Sequence, residues 1–101
     1  MNINFEYKDV AASPRLEAMA TEKLNKLEDK YNFIVNADVY FKKENTSESD
    51  TGKICEIRLN IPGSTIYAED SNGSYEASLA KVVNELRPQL QKRKEKMQAH
   101  Y

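Results

Sequence analysis

Ile3, Phe5 and Tyr7 alternate with Asn4 and Glu6, a period of two that predicts a first strand with one apolar face. The period then changes. Leu16, Ala20, Leu24, Leu27 and Tyr31 recur at three- and four-residue steps, and at 100° per residue they share a stripe about 80° wide, which predicts an amphipathic helix. Ser13-Pro14 marks its start, because the serine hydroxyl can accept an orphan N–H and proline at the first helical position needs none. From Ile34 to Lys43 the period returns to two: Ala37, Val39 and Phe41 share one face, Asp38 and Tyr40 the other. The stretch from Glu44 to Gly52 holds no apolar residue and predicts a mobile acidic hairpin loop. A third strand follows, with Cys55, Ile57, Leu59 and Ile61 on one face. Pro62-Gly63 turns the chain into a fourth at Ser64 to Glu69. Tyr75, Leu79, Val82, Val83, Leu86 and Leu90 then form the stripe of a second helix, with Ser71 or Ser74 as its cap.

The predicted fold is α+β with order β-α-β-β-β-α. A right-handed βαβ crossover makes strands one and two parallel neighbours, and the two hairpins continue as an antiparallel meander. The result is a four-stranded mixed sheet with both helices packed on one face. Pro88 is the irregularity: inside a helix it removes a hydrogen bond and clashes with the carbonyl four residues earlier, costing about 3 kcal/mol. The sequence predicts either a kink between Asn84 and Pro88 or a short new helix with Pro88 at its first position.

Charge adds a polarity that the total conceals. The net charge of the 101 residues is −1, but Ala77 to Tyr101 carries six Lys/Arg against two acids, whereas Glu44 to Glu76 carries two bases against seven acids. Such a chain suits one face turned to phosphate and another turned away. On the first helix Arg15, Lys23, Lys26 and Lys30 lie along one flank of the apolar stripe, with Glu17 and Glu28 along the other. Lys23, Lys26 and Lys30, together with Arg87, Lys92, Arg93, Lys94 and Lys96, are the candidate phosphate contacts.

At this length and with 40% hydrophobic residues the chain reads as one domain, residues 1–101, with a basic helical end at about 88–101. No stretch approaches the roughly 18 apolar residues of a membrane span, and Met1 to Phe5 lacks the basic and apolar regions of a secretory signal, so a cytoplasmic protein is expected. One cysteine precludes an internal disulfide.

Catalysis finds no constellation. His100 stands beside the last residue, Cys55 falls on an apolar strand face as a buried inert thiol, and no set of ligands has metal spacing. Gly52, Gly63 and Gly73 are isolated turn glycines rather than a phosphate loop. A non-enzymatic protein without metal or cofactor is expected. Tyr40 and Tyr67 fall on the sheet face away from the helices, where they are ordinary strand residues or platforms for stacked bases.

A series of fragments resembles one family. Ser13-Pro14-x-Leu16, Lys23-Leu24-x-Lys26-Leu27-Glu28, Ile66-x-Ala68, Tyr75-Glu76-Ala77 and Leu86-x-x-Gln89-Leu90-x-Lys92-x-Lys94-x-Lys96 are similar, in order and spacing, to the short ribosome hibernation-promoting factor / ribosome-associated inhibitor A family, formerly called sigma-54 modulation proteins. The resemblance implies a factor that docks between head and body of the small ribosomal subunit, contacting its rRNA and proteins. It would occupy the mRNA channel and the A- and P-site tRNA positions, and so silence idle ribosomes in a stress response.

Pro88 stands where the family usually carries Arg, with Arg87 just before it, and the family's Tyr-x-Ala-Ile-Asp run is altered around Leu79-Ala80. A chain of this length is also expected to lack the second domain with which long hibernation factors pair ribosomes. Two other readings are a protein–protein module that uses the open sheet face or an edge strand, and a double-stranded-RNA binder.

Overall fold

A computed structural model describes residues 1–98 of the chain. His100 and the end of the predicted basic segment therefore lie outside the described residues. Six elements follow in the predicted order: β1 (Asn2–Lys8), α1 (Pro14–Lys30), β2 (Asn36–Lys43), β3 (Lys53–Ile61), β4 (Ser64–Asn72) and α2 (Tyr75–Gln98). The sheet order is β1-β2-β3-β4, with β1 parallel to β2 and the two later pairings antiparallel.

Local signals set the helix starts. Ser13 adopts an extended conformation and its Oγ accepts the Leu16 N–H at 3.2 Å, with Pro14 at the first helical position. For α2 the cap is Ser74, whose Oγ accepts the Ala77 N–H at 3.1 Å. Ser71, the other candidate, belongs to β4 and bonds the end of the preceding hairpin loop instead: its Oγ accepts the Gly52 N–H and contacts Thr51 Oγ1, both at 2.8 Å. The acidic loop is thus anchored where it joins β3. Gly52 has φ 101°, and a Cβ there would lie 2.8 Å from the Glu44 carbonyl oxygen, so this anchor requires glycine.

One core lies between the sheet and the helices. Leu16, Ala20, Leu24, Leu27 and Tyr31 of α1 and its cap pack with Ala37, Val39 and Phe41 of β2, Cys55, Ile57 and Leu59 of β3, and Leu79, Val82, Val83, Leu86 and Leu90 of α2. Each large apolar side chain buried here contributes about 1.5–3 kcal/mol relative to exposure. Burial also holds the Cys55 thiol well above its ordinary range, at about 12, which leaves it protonated and inert.

Two details change. Of the two alternatives at Pro88, the short new helix does not form: α2 runs from Tyr75 to Gln98 with Pro88 inside it. Asn84, whose carbonyl loses its intrahelical donor, is exposed, as is Pro88 itself, so water can satisfy the orphan group while Leu86 and Leu90 on the opposite side remain fully buried. The fourth strand extends past Glu69 to Asn72, because the backbone ladder with β3 continues to the Lys53–Asn72 pair regardless of side-chain polarity.

Candidate nucleic-acid interface

The two helices lie side by side in the same direction. At their N-terminal ends Arg15 of α1 pairs with Glu76 of α2 at 2.5 Å; the Glu76 carboxyl lies below its ordinary range through a backbone hydrogen bond at the helix start and the Arg15 guanidinium. At their C-terminal ends the Tyr31 hydroxyl donates to Gln91 Oε1 at 3.1 Å, and Lys94 Nζ reaches the Lys30 carbonyl at 3.4 Å.

These contacts orient the flanks of α1. The acidic flank faces β1, where Glu17 accepts the Tyr7 hydroxyl at 2.6 Å and Glu28 meets the Met1 amine at 3.1 Å. The basic flank that carries Arg15, Lys23, Lys26 and Lys30 is therefore the one toward α2. On α2, Arg87, Gln91 and Lys94 fall on the flank toward α1, since residues four and seven apart share a helix face. The other flank leans over β4: Gln89 Nε2 donates to the Tyr67 carbonyl at 3.0 Å and Arg93 Nη2 to Ser64 Oγ at 2.9 Å.

The eight predicted phosphate contacts thus divide into two groups on the helical side of the molecule. Lys23, Lys26, Lys30, Arg87 and Lys94 border the seam between the helices. Lys92, Arg93 and Lys96 line a hollow of about 300 Å³ against the β4 edge, together with Thr65, Ile66 and Gln89. Charge neutralisation within the chain is sparse here. Lys26 pairs with Glu22 at 3.4 Å across one exposed helix turn, whereas the other seven make no ion pair among the described residues. Arg93 is held by Ser64. Ser64, which holds Arg93, and Gln91, which fixes the Tyr31 hydroxyl, carry no local sequence signal, because each acts through a partner distant along the chain.

The acidic loop occupies the other end. Ser78 Oγ donates to the Lys53 carbonyl at 2.5 Å, which ties the N-terminal part of α2 to the strand that follows the loop. The turn at Pro62-Gly63 and the Ser64–Arg93 contact lie toward the C-terminal end of α2. Negative and positive segments are therefore separated along a molecule whose longest extent is 52 Å.

On the open sheet face, cations and acids pair with each other. Glu56, only 3% exposed, accepts from Lys42 at 2.5 Å and Arg58 at 2.7 Å, and its carboxyl stays below the ordinary range because these two bonds outweigh the desolvation that opposes them. Lys42 also approaches Glu69 at 3.6 Å. Tyr40 and Tyr67 do lie on this face, but the Arg58 guanidinium sits over both rings, at 5.6 and 5.8 Å from their centroids. Among the described residues no group of acidic, histidine or cysteine side chains has the geometry of a metal site, and no helix is long and apolar enough to cross a membrane.

Known proteins share this architecture and this sequence pattern. A ribosome hibernation promoting factor of Pseudomonas putida is 28% identical over 99 residues, covering 98% of this chain and 92% of that protein. A ribosomal subunit interface protein from Coxiella burnetii superposes with a TM-score of 0.79 at 26% identity, over 93% of this chain and 98% of that one. The N-terminal domain of Thermus thermophilus Protein Y, at 19% identity and a TM-score of 0.76 over 91% of this chain and 98% of that one, shares the fold. Residues 3–98 match the model of the family described as sigma 54 modulation protein / S30EA ribosomal protein, a family of ribosome-associated binding factors rather than enzymes, and the chain belongs to it.

Proposed function

We propose that this protein binds the small ribosomal subunit through the C-terminal ends of its two helices, occupying the mRNA channel and the A- and P-site tRNA positions and so holding idle ribosomes silent in the cytoplasm. The observation that carries this reading is the convergence of cations without acidic partners at one end of the helical layer: Lys30 and Lys94 beside the seam, and Lys92, Arg93 and Lys96 beside the β4 edge. A chain of net charge −1 has too weak an overall field to hold RNA by charge alone. Affinity then comes from a local basic end that fits a shaped RNA cleft, where lysine and arginine displace counterions from several phosphates. The names of the relatives support the ribosome as the target, and family resemblance supports the location within it.

The open sheet face is the competing surface. Its central charges are already matched to one another around Glu56, and the two tyrosine rings are engaged by Arg58, so it offers RNA or protein fewer unmet groups.

Co-sedimentation with purified small subunits tests the proposal. The wild-type protein is expected to migrate with the subunits, with affinity that falls steeply as salt rises. Reversing Lys92, Lys94 and Lys96 to Glu should abolish migration while the protein still folds cooperatively. The exposed Lys92 and Lys96 should cost no more than about 0.5 kcal/mol each and the half-buried Lys94 more, because it gives up its contacts with the Lys30 carbonyl and the Tyr31 ring. A reversed protein that still binds, or a wild-type affinity indifferent to salt, would refute it.

A further inference from the structure

Lys30 and Lys94 stand far apart in sequence, yet both reach the ring of one tyrosine. Lys30 Nζ lies 5.4 Å from the Tyr31 ring centroid and Lys94 Nζ 5.8 Å from it. Two ammonium groups held at one ring need a cause that offsets the repulsion of like charges. Tyr31 supplies that cause: it is 2% exposed, its N–H closes the last turn of α1 on the Leu27 carbonyl at 2.7 Å, and its hydroxyl is fixed on Gln91. The ring presents a π-face to cations, and the Lys30 carbonyl at the negative end of α1 draws in Lys94. Neither ammonium has an acidic partner among the described residues.

We infer that Lys30 and Lys94 form a single clamp for one RNA phosphate, assembled across the two helices, with Tyr31 as its positioning residue. The inference rests on the small-subunit reading above and deepens it: two cations that are separate in sequence act on the same phosphodiester. The arrangement is set before RNA arrives, because the ring and the carbonyl hold both side chains near their binding geometry, which reduces the ordering that binding must impose. A bridging phosphate would also offset the repulsion between the two ammonium groups.

Counting phosphates by salt dependence tests it. Wild type, Lys30→Ala, Lys94→Ala and the double variant are titrated with purified small subunits across about 50–200 mM salt, where each neutralised phosphate adds about 0.7–0.9 to the log–log slope. A shared phosphate predicts that each single variant binds more weakly but keeps nearly the wild-type slope, and that the double variant loses one increment. Independent contacts predict one increment lost in each single variant and two in the double, which would overturn the clamp while leaving subunit binding intact. A wild-type protein that fails to bind subunits overturns both readings.

Tyr31→Leu is then compared in two backgrounds. A positioning role predicts about fivefold weaker binding in the wild type, the scale of a cation–π contact, and no further loss where both lysines are already alanine. Equal weakening in both backgrounds would assign Tyr31 a purely structural role. Tyr31→Phe, which keeps the ring, should retain most of the affinity. Should Tyr31→Leu fail to fold, the slopes of the lysine variants decide the matter alone.

Discussion

Arg15 and Glu76 join the N-terminal ends of the two helices, so the one cation on the inner flank of α1 that lies nearest the acidic end is already neutralised within the chain. Arg15→Ala is therefore expected to leave affinity for the small subunit unchanged in a sedimentation titration. Stability should fall by less than about 1 kcal/mol, because both partners are well exposed and solvent screens the pair. A marked loss of affinity would extend the binding surface to the opposite end of the helices.

Pro88 lies on the solvent side of an otherwise unbroken helix. Pro88→Ala restores the missing backbone donor to Asn84 without disturbing the buried Leu86 and Leu90, and should raise the unfolding free energy by about 1–3 kcal/mol. Urea denaturation measures this directly. A decrease would mean that the packing of α2 on β4 depends on a local geometry that only proline maintains.

Acid should weaken the protein partly through Glu56. Its carboxyl titrates below the ordinary value of 4.5 in the folded state, so its contribution is fully present above that value and is lost as pH falls from there through the lower folded value. Glu56→Gln should cost about 1–2 kcal/mol at pH 7, as Lys42 and Arg58 lose their charged acceptor. The urea midpoints of wild type and variant should then converge as the pH falls from 4.5 through the lower folded value. A constant difference across that range would mean that the carboxylate charge is irrelevant to the network.

The acidic hairpin loop is predicted to be dispensable for binding. Replacing Asn45–Asp50 by a short turn, while keeping Thr51 and Gly52 for their contacts with Ser71, removes two carboxylates at the end remote from the basic cluster. Stability should change by less than about 1 kcal/mol, since closure entropy varies slowly with loop length. Subunit affinity should hold. A shortened protein that folds but no longer co-sediments would put this loop in the interface.

Elements whose cause is local were legible in the sequence. Ser13-Pro14 caps α1 by its own chemistry, and the strand and helix stripes match the buried residues because one core faces every element. Where tertiary context outweighs local preference, the pattern alone fails. Pro88 reads as a kink or a new helix start, yet the packing of Leu90 keeps the segment helical across it, and Asp70 to Asn72 fall beyond the predicted strand until β3 supplies a backbone partner. The candidate interface was legible as charge but not as arrangement. Helical periodicity puts Lys23, Lys26 and Lys30 on one flank, yet only the contacts of Glu17 with Tyr7 and of Arg15 with Glu76 decide that this flank meets α2. Tyr31 reads as a core residue, and its engagement with Lys94 and Gln91 belongs to a contact that no local period encodes.

The acidic loop and the basic helix ends lie at opposite ends of a nearly neutral molecule, so its charge is uneven along the length of the helices. In the field of a polyanion such a body experiences little net pull but a strong torque. If the basic helix ends meet RNA as proposed, such a body would turn its positive end forward before contact, which would raise the fraction of diffusive encounters that are productive. Because the attraction depends on orientation, it fades quickly with distance, and the protein is not drawn to every stretch of RNA it passes. A small net charge, unevenly placed, would thus allow free diffusion among nucleic acids together with rapid capture at a cleft that admits one end.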